Sequence, residues 1–196
     1  MNILTDALPA TVSVGGREYE INTDFRAGVK FEMMIEQGVT NAFELVAPFF
    51  LGGVPRDIMG AFEAVERFYC CGVLPEKAEK SEKGKQAYSF GTDANAIFSD
   101  FWRYYTIDLS REYLHWWAFR ALLMGLPDES RFKQRAYYRT CDLNGVSKKE
   151  RDRIMRIRSE IEIKTGDKMT LEERNASMLE HIAKRRAEAT GGGKNE

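Results

Sequence analysis

The chain has 196 residues, 43 % of them hydrophobic and 30 % charged, with a formal net charge of −1. That is the balance of a globular protein with one good core and appendages, and it excludes a general pull toward nucleic acid or acidic membranes. Three cysteines, two adjacent (Cys70, Cys71) and one remote (Cys141), exclude a disulfide framework and read as reduced thiols. No apolar run approaches the roughly 20 residues of a membrane span, and the first six residues lack the basic start of a signal peptide. The expected compartment is a cytoplasm.

Residues 11–14 and 17–21 alternate apolar and polar side chains around Gly15 and Gly16. Two glycines tolerate the positive φ of a tight hairpin turn, so this is a β-hairpin. An isolated hairpin is marginal and must lie on a helix or gain a strand; residues 87–90 are a short candidate for that third strand.

Asn22, Thr23 and Asp24 supply a cap for a helix running to about Gln37 and closed by Gly38. Phe25, Val29, Phe31, Met34 and Ile35 form its apolar arc, and Glu32 falls inside that arc. Residues 40–51 form a shorter helical run that Pro48 bends or ends. After the break at Gly52 and Gly53, Pro55 is placed as the first residue of the next helix. Ile58, Phe62, Val65 and Tyr69 then recur at amphipathic spacing, and Gly72 stops the helix.

Residues 75–86 are a mixed-charge, low-complexity stretch and read as a mobile loop. Asp93 is placed to cap a helix whose aromatic face is Ile97, Phe98, Phe101, Trp102 and Tyr105. Next comes the most apolar helical segment, residues 110–124, started by Asp108 or Ser110 and ended by Gly125 and Pro127. Its arc includes Tyr113, Trp116, Trp117, Ala121, Leu123 and Met124, and Arg120 projects into the middle of it. Two opposite charges, Glu32 and Arg120, thus sit on apolar faces. Either the two helices pack with those charges paired, because an unpaired buried charge is costly, or Arg120 carries its head to solvent across Trp116.

A further helix through Thr140 contains Phe132, Ala136 and Tyr137, and residues 142–145 form a turn. Ser147 and Glu150 fit a capping box that opens a basic helix with Ile154, Ile157 and Ile161 on one thin stripe. Six basic and two acidic side chains lie between Lys148 and Arg158. A solvated helix or an acidic protein partner fits this run better than nucleic acid does. Its candidate contact residues are Arg151, Arg153, Ile154, Ile157 and Arg158. A second capping box at Thr170 opens a polar helix to about Ala189 whose apolar content is thin. The expected architecture is mainly α (α+β): a compact helical domain over residues 1–143 with an N-terminal hairpin, and a helical, partly disordered extension over 144–196.

No motif carries chemistry. His115 and His181 stand far from other metal-ligating residues, and no phosphate loop, nucleophile elbow or zinc-binding helix is present. No catalytic, cofactor-binding or metal residue is assigned, and an enzyme is not expected.

Several stretches together do carry a resemblance. They are residues 22–26 with Lys30 and Glu32; Tyr88 to Phe90 with Asp93; residues 107–109; His115-Trp-Trp-Ala-Phe-Arg-Ala-Leu122 with Gly125 and Leu126; Tyr138 and Arg139; and Asp142 and Leu143. In that order they resemble the bacteriophage gene-product-fifteen family of long-tailed phages and prophages of Gram-positive bacteria, over about residues 1–160. The most specific part is the Trp116, Trp117, Phe119 and Arg120 motif, which with Glu32 and Phe25 marks the family's core.

Genes of that family typically lie between those of the major tail protein and the tape measure protein, where tail assembly chaperones are encoded. The resemblance implies a non-enzymatic protein of the host bacterial cytoplasm that binds the apolar, helical tape measure protein. It would keep that chain soluble until tail-tube subunits polymerise around it. Other tail proteins and further copies of the chain are the remaining candidate partners; no cofactor or membrane is implied. Related chaperones are often made in two lengths by frameshifting, which the protein sequence does not reveal. A structural tail or connector component retained in the virion is the alternative, and a nucleic-acid-binding regulator ranks third.

Overall fold

The computed structural model describes residues 2–72 and 86–163. The charged stretch at 75–85 and the second C-terminal helix at 170–189 lie outside the described residues. Within them the order is β1 (Thr11–Val14), β2 (Arg17–Glu20), α1 (Phe25–Glu36), α2 (Ala42–Val46), a 3-10 turn (Ala47–Phe49), α3 (Ile58–Tyr69), α4 (Phe90–Tyr105), α5 (Trp116–Met124), α6 (Arg131–Thr140) and α7 (Lys148–Glu160). This is a mainly helical protein with one N-terminal hairpin, as its sequence pattern indicates.

β1 and β2 pair antiparallel with Val14 opposite Arg17 across the Gly15, Gly16 turn, where both glycines have positive φ. Val12 and Val14 point into the core and rest on α3. The hairpin gains its stability from that helix, because the sheet has two strands among the described residues. The expected third strand at 87–90 does not form. Instead the Ser89 hydroxyl accepts from the Thr92 N–H and its own N–H donates to the Asp93 carboxylate, so Phe90 opens α4 four residues before the sequence reading would start it. Asp93, expected as the cap, is a buried side chain inside that helix.

α1 is capped by Asp24, whose carboxylate accepts from the Arg26 N–H, and Gly38 follows it with positive φ. Pro48 converts the end of α2 into the 3-10 turn. α3 starts later than Pro55: Asp57 caps it by accepting from the Gly60 N–H at 2.9 Å. Proline can supply the φ of a first helical position but no side-chain acceptor, and the carboxylate two residues on satisfies the free N–H groups.

The largest departure concerns α5. Asp108 and Ser110 do not cap it; they close a local turn in which the Asp108 carboxylate accepts from both the N–H and the hydroxyl of Ser110. Residues 113–115 then run extended, and Tyr113, expected on the buried arc, is exposed. The Phe25 N–H donates to the Leu114 carbonyl and the Trp116 N–H to the Thr23 carbonyl, both at 2.8 Å, in an antiparallel bridge between Asp24 and His115. Two helices, α1 and α5, therefore start side by side from one bridge. Gly28 lets them close: a Cβ there would stand 2.4 Å from Trp116 Cε3.

The core is aromatic. Phe119 of α5 stacks on Phe25 of α1 at 4.6 Å and on Phe101 of α4 at 5.1 Å, with Trp116 stacked beside it. Such pairs add roughly 0.5–1.5 kcal/mol beyond area burial, which is why the motif residues hold α1, α4 and α5 together.

Candidate partner-binding surface

The motif side chains point inward and do not form the surface. The last carbonyls of α3 lack helical partners, and α5 supplies them: Trp117 Nε1 donates to the Phe68 carbonyl at 2.7 Å, and Trp116 Nε1 and Arg120 donate to the Tyr69 carbonyl at 2.9 and 3.1 Å. Arg120 also lies across the rings of Tyr69 and Trp116. Its positive charge suits the negative end of α3.

Glu32 is buried, 2 % exposed, and accepts from the Tyr69 hydroxyl at 2.5 Å. The two misplaced charges do meet across packed helices, but Tyr69 stands between them and joins them, its hydroxyl to Glu32 and its carbonyl to Arg120. Nothing in the spacing of residues 22–37 or 110–124 marks Tyr69 for that role. Burial foremost, and then the Glu32 carboxylate, push the Tyr69 hydroxyl well above the ordinary tyrosine range, so it remains a donor. Cys70 and Cys71 are free, half-buried thiols that burial likewise pushes up, away from nucleophilic behaviour.

A second polar knot escapes the sequence reading. Asp93 has no exposed side-chain surface and pairs with Arg135 at 2.6 Å and with Arg139 at 2.5 Å. Arg139 also donates to the Ala87 carbonyl and twice to the Ile161 carbonyl. A signal was available: Arg139 lies seven residues after Phe132, on the apolar side of α6.

That arginine ties down α7, which the sequence reading assigns to the extension. Among the candidate contact residues of α7, Ile154 is buried and Ile157 half-buried, and Arg158 donates to the Tyr138 and Cys141 carbonyls, both at 2.6 Å. Only Arg151 and Arg153 face water, Arg151 with a bond to the Leu143 carbonyl and Arg153 paired with Glu150. The basic face is thus partly used to dock α7 on α6 and is a poor recognition surface.

The exposed apolar surface lies on α4. Its aromatic face divides: Ile97 and Phe101 are buried, whereas Phe98 is 40 % and Trp102 53 % exposed. With Ala94 they recur every four residues and form one outward stripe. The stripe sits on a rigid helix. Asp100, between the two aromatics, caps α6 through the Arg131 and Phe132 N–H groups, and Tyr105 donates to the Leu122 carbonyl of α5.

The model of the family described as Bacteriophage Gp15 protein matches residues 4–163. The chain belongs to this family. The matched span of the Gp15 protein runs from before β1 to the end of α7, so the Trp116 motif, both polar knots and the α4 stripe all lie within it. No curated protein and no solved structure matches the chain significantly. Among the described residues, no helix is long and apolar enough to cross a membrane, and no group of three or more His, Cys, Asp or Glu could hold a metal ion.

Proposed function

We propose that this Gp15 protein is a tail assembly chaperone, acting without catalysis in the host bacterial cytoplasm, that binds the tape measure protein and keeps it soluble during tail assembly. The observation that supports this reading is the stripe of Ala94, Phe98 and Trp102 facing solvent on a helix pinned at both ends. A long apolar helix in water needs a carrier that covers part of its apolar side. An amphipathic helix is recognised through anchors repeating at three and four residues. Exposed tryptophan on a rigid support is the residue type that most often dominates such contacts.

Co-expression with the tape measure protein encoded beside it tests the reading. The tape measure's soluble yield rises and the two proteins co-purify, while replacing Phe98 and Trp102 with serine reduces both effects. The carrier's own stability shifts by only about 0.5 kcal/mol per exposed site. Absence of any complex with the wild-type chain sinks the proposal. Mass spectrometry of purified particles separates the structural alternative, since a chaperone is missing from them and a tail component is present in stoichiometric amount.

A further inference from the structure

The hairpin has two outer edges, and they differ. β2 carries Arg17, Glu18 and Glu20, charges of the kind that blunt an edge strand against pairing. β1 reads Thr, Val, Ser, Val and carries none. The Ile21 N–H donates to the Ala10 carbonyl, which fixes the parity of the ladder: Ala10, Val12 and Val14 bond toward β2, and the peptide groups of Thr11 and Ser13 face away from it. Among the described residues those outward N–H and C=O groups have no hydrogen-bond partner, whereas the Pro9 carbonyl on the same edge is engaged by His115 Nε2 at 3.1 Å.

That open edge forms one wall of a groove of about 430 Å³. The opposite wall is a single face of α3, where Asp57, Gly60, Glu63, Ala64 and Arg67 recur at three- and four-residue steps. Small residues at 60 and 64 leave the space between strand and helix. Phe68 and Trp117 give the groove an apolar end, and Asp57 and Glu63 make its charge acidic on balance against Arg67. No residue of β2 lines it.

We infer that this groove takes an extended segment of the tape measure protein, which adds a third strand along β1. The inference rests on the chaperone reading above and assigns it a second contact, separate from the α4 stripe. The backbone of the segment bonds to Thr11 and Ser13. Its alternate side chains enter the groove: an apolar one against Phe68 and Trp117, and a lysine or arginine toward Asp57 and Glu63.

Overlapping synthetic peptides spanning the tape measure protein, titrated against the full chain by fluorescence anisotropy, test this. At least one peptide with alternating apolar residues and a basic residue binds, and amide exchange at Thr11 and Ser13 slows in the complex. Ser13→Pro removes an outward N–H that the hairpin does not use, and Ala64→Glu fills the groove and repels nothing in the hairpin ladder. Each weakens peptide binding at least tenfold, while Trp102→Ser changes it less than twofold. If the intact tape measure protein binds and both groove variants hold its affinity within twofold, the groove assignment falls and the chaperone reading stands. If the wild-type chain binds no tape measure protein, both fall. A dimer that Ala64→Glu splits, with no peptide bound, shows a second copy covering the edge and overturns the inference.

Discussion

The guanidinium of Arg120 donates to the main-chain carbonyl of Tyr69 at 3.1 Å, while the Tyr69 hydroxyl donates to buried Glu32 at 2.5 Å. One residue thus carries both misplaced charges of the helical pattern. Tyr69→Phe removes a hydrogen bond to a buried charged group and leaves the Arg120 contact in place. The expected loss is about 1.5–3 kcal/mol, read as a lower urea midpoint at unchanged m-value.

Gly28→Ala tests the close approach of α1 to α5. In an exposed helix this change gains about 1 kcal/mol in propensity. Here the new methyl meets the Trp116 ring at 2.4–2.7 Å, and both helices are anchored by the bridge at their starts. The sign therefore reverses, to a net destabilisation on the order of 1–3 kcal/mol in chemical denaturation.

The pairing of Asp93 with Arg139 should behave as a buried ion pair. Removing one partner leaves the other charge uncompensated, so Asp93→Ala or Arg139→Met costs about 3–5 kcal/mol, and the double variant costs less than the sum of the two. Burial opposes ionisation of Asp93, but bonds from Arg139, the Ser89 N–H and Arg135 together hold its carboxyl below the usual range. The unfolded carboxyl binds its proton first as pH falls. The stabilisation is therefore complete above about pH 4 and is lost on acidification below it. Acid unfolding of wild type and Asp93→Asn, followed by circular dichroism, checks this: the variant lacks that component of the pH dependence.

His115 makes a second pH window. Its Nδ1 caps α5 by accepting from the Trp117 N–H at 3.1 Å, which requires the proton on Nε2, donated to the Pro9 carbonyl. Burial, against the Pro9 bond, lowers its pKa from the ordinary 6.5. The folded state thus favours the neutral ring, and the unfolded chain takes up the proton first. Stability is full above about pH 6.5 and declines as pH falls below it. Comparing unfolding midpoints at pH 7.5 and 5.5 shows this drop in wild type; His115→Asn, which keeps a capping acceptor, does not show it.

The spacing of apolar residues and the turn and cap residues were enough to identify the hairpin, most of the helices and the family motif, because those signals are local. α1 appears where Asp24 and Gly38 place it, and Ser147 caps α7 as the capping box indicates. The start of α5 was illegible because the partner that decides it, the backbone of Thr23 and Phe25, lies some ninety residues away in the chain. A third strand at 87–90 failed for the same class of reason: Ser89 has a competing use as a cap.

Surface and core are separated by tertiary packing alone. Phe98 and Phe101 are three residues apart on α4 and equally apolar, yet one is exposed and the other is buried against Phe119. The aromatic run by itself determines that α4 has a binding-competent composition; only the neighbours that cover Phe101 and leave Phe98 and Trp102 bare decide which part of it a partner can reach. Likewise the sequence determined that Glu32 and Arg120 must find partners, since a buried charge without one is costly. That the partner common to both is Tyr69 was decided by α3 ending where α1 and α5 pack together.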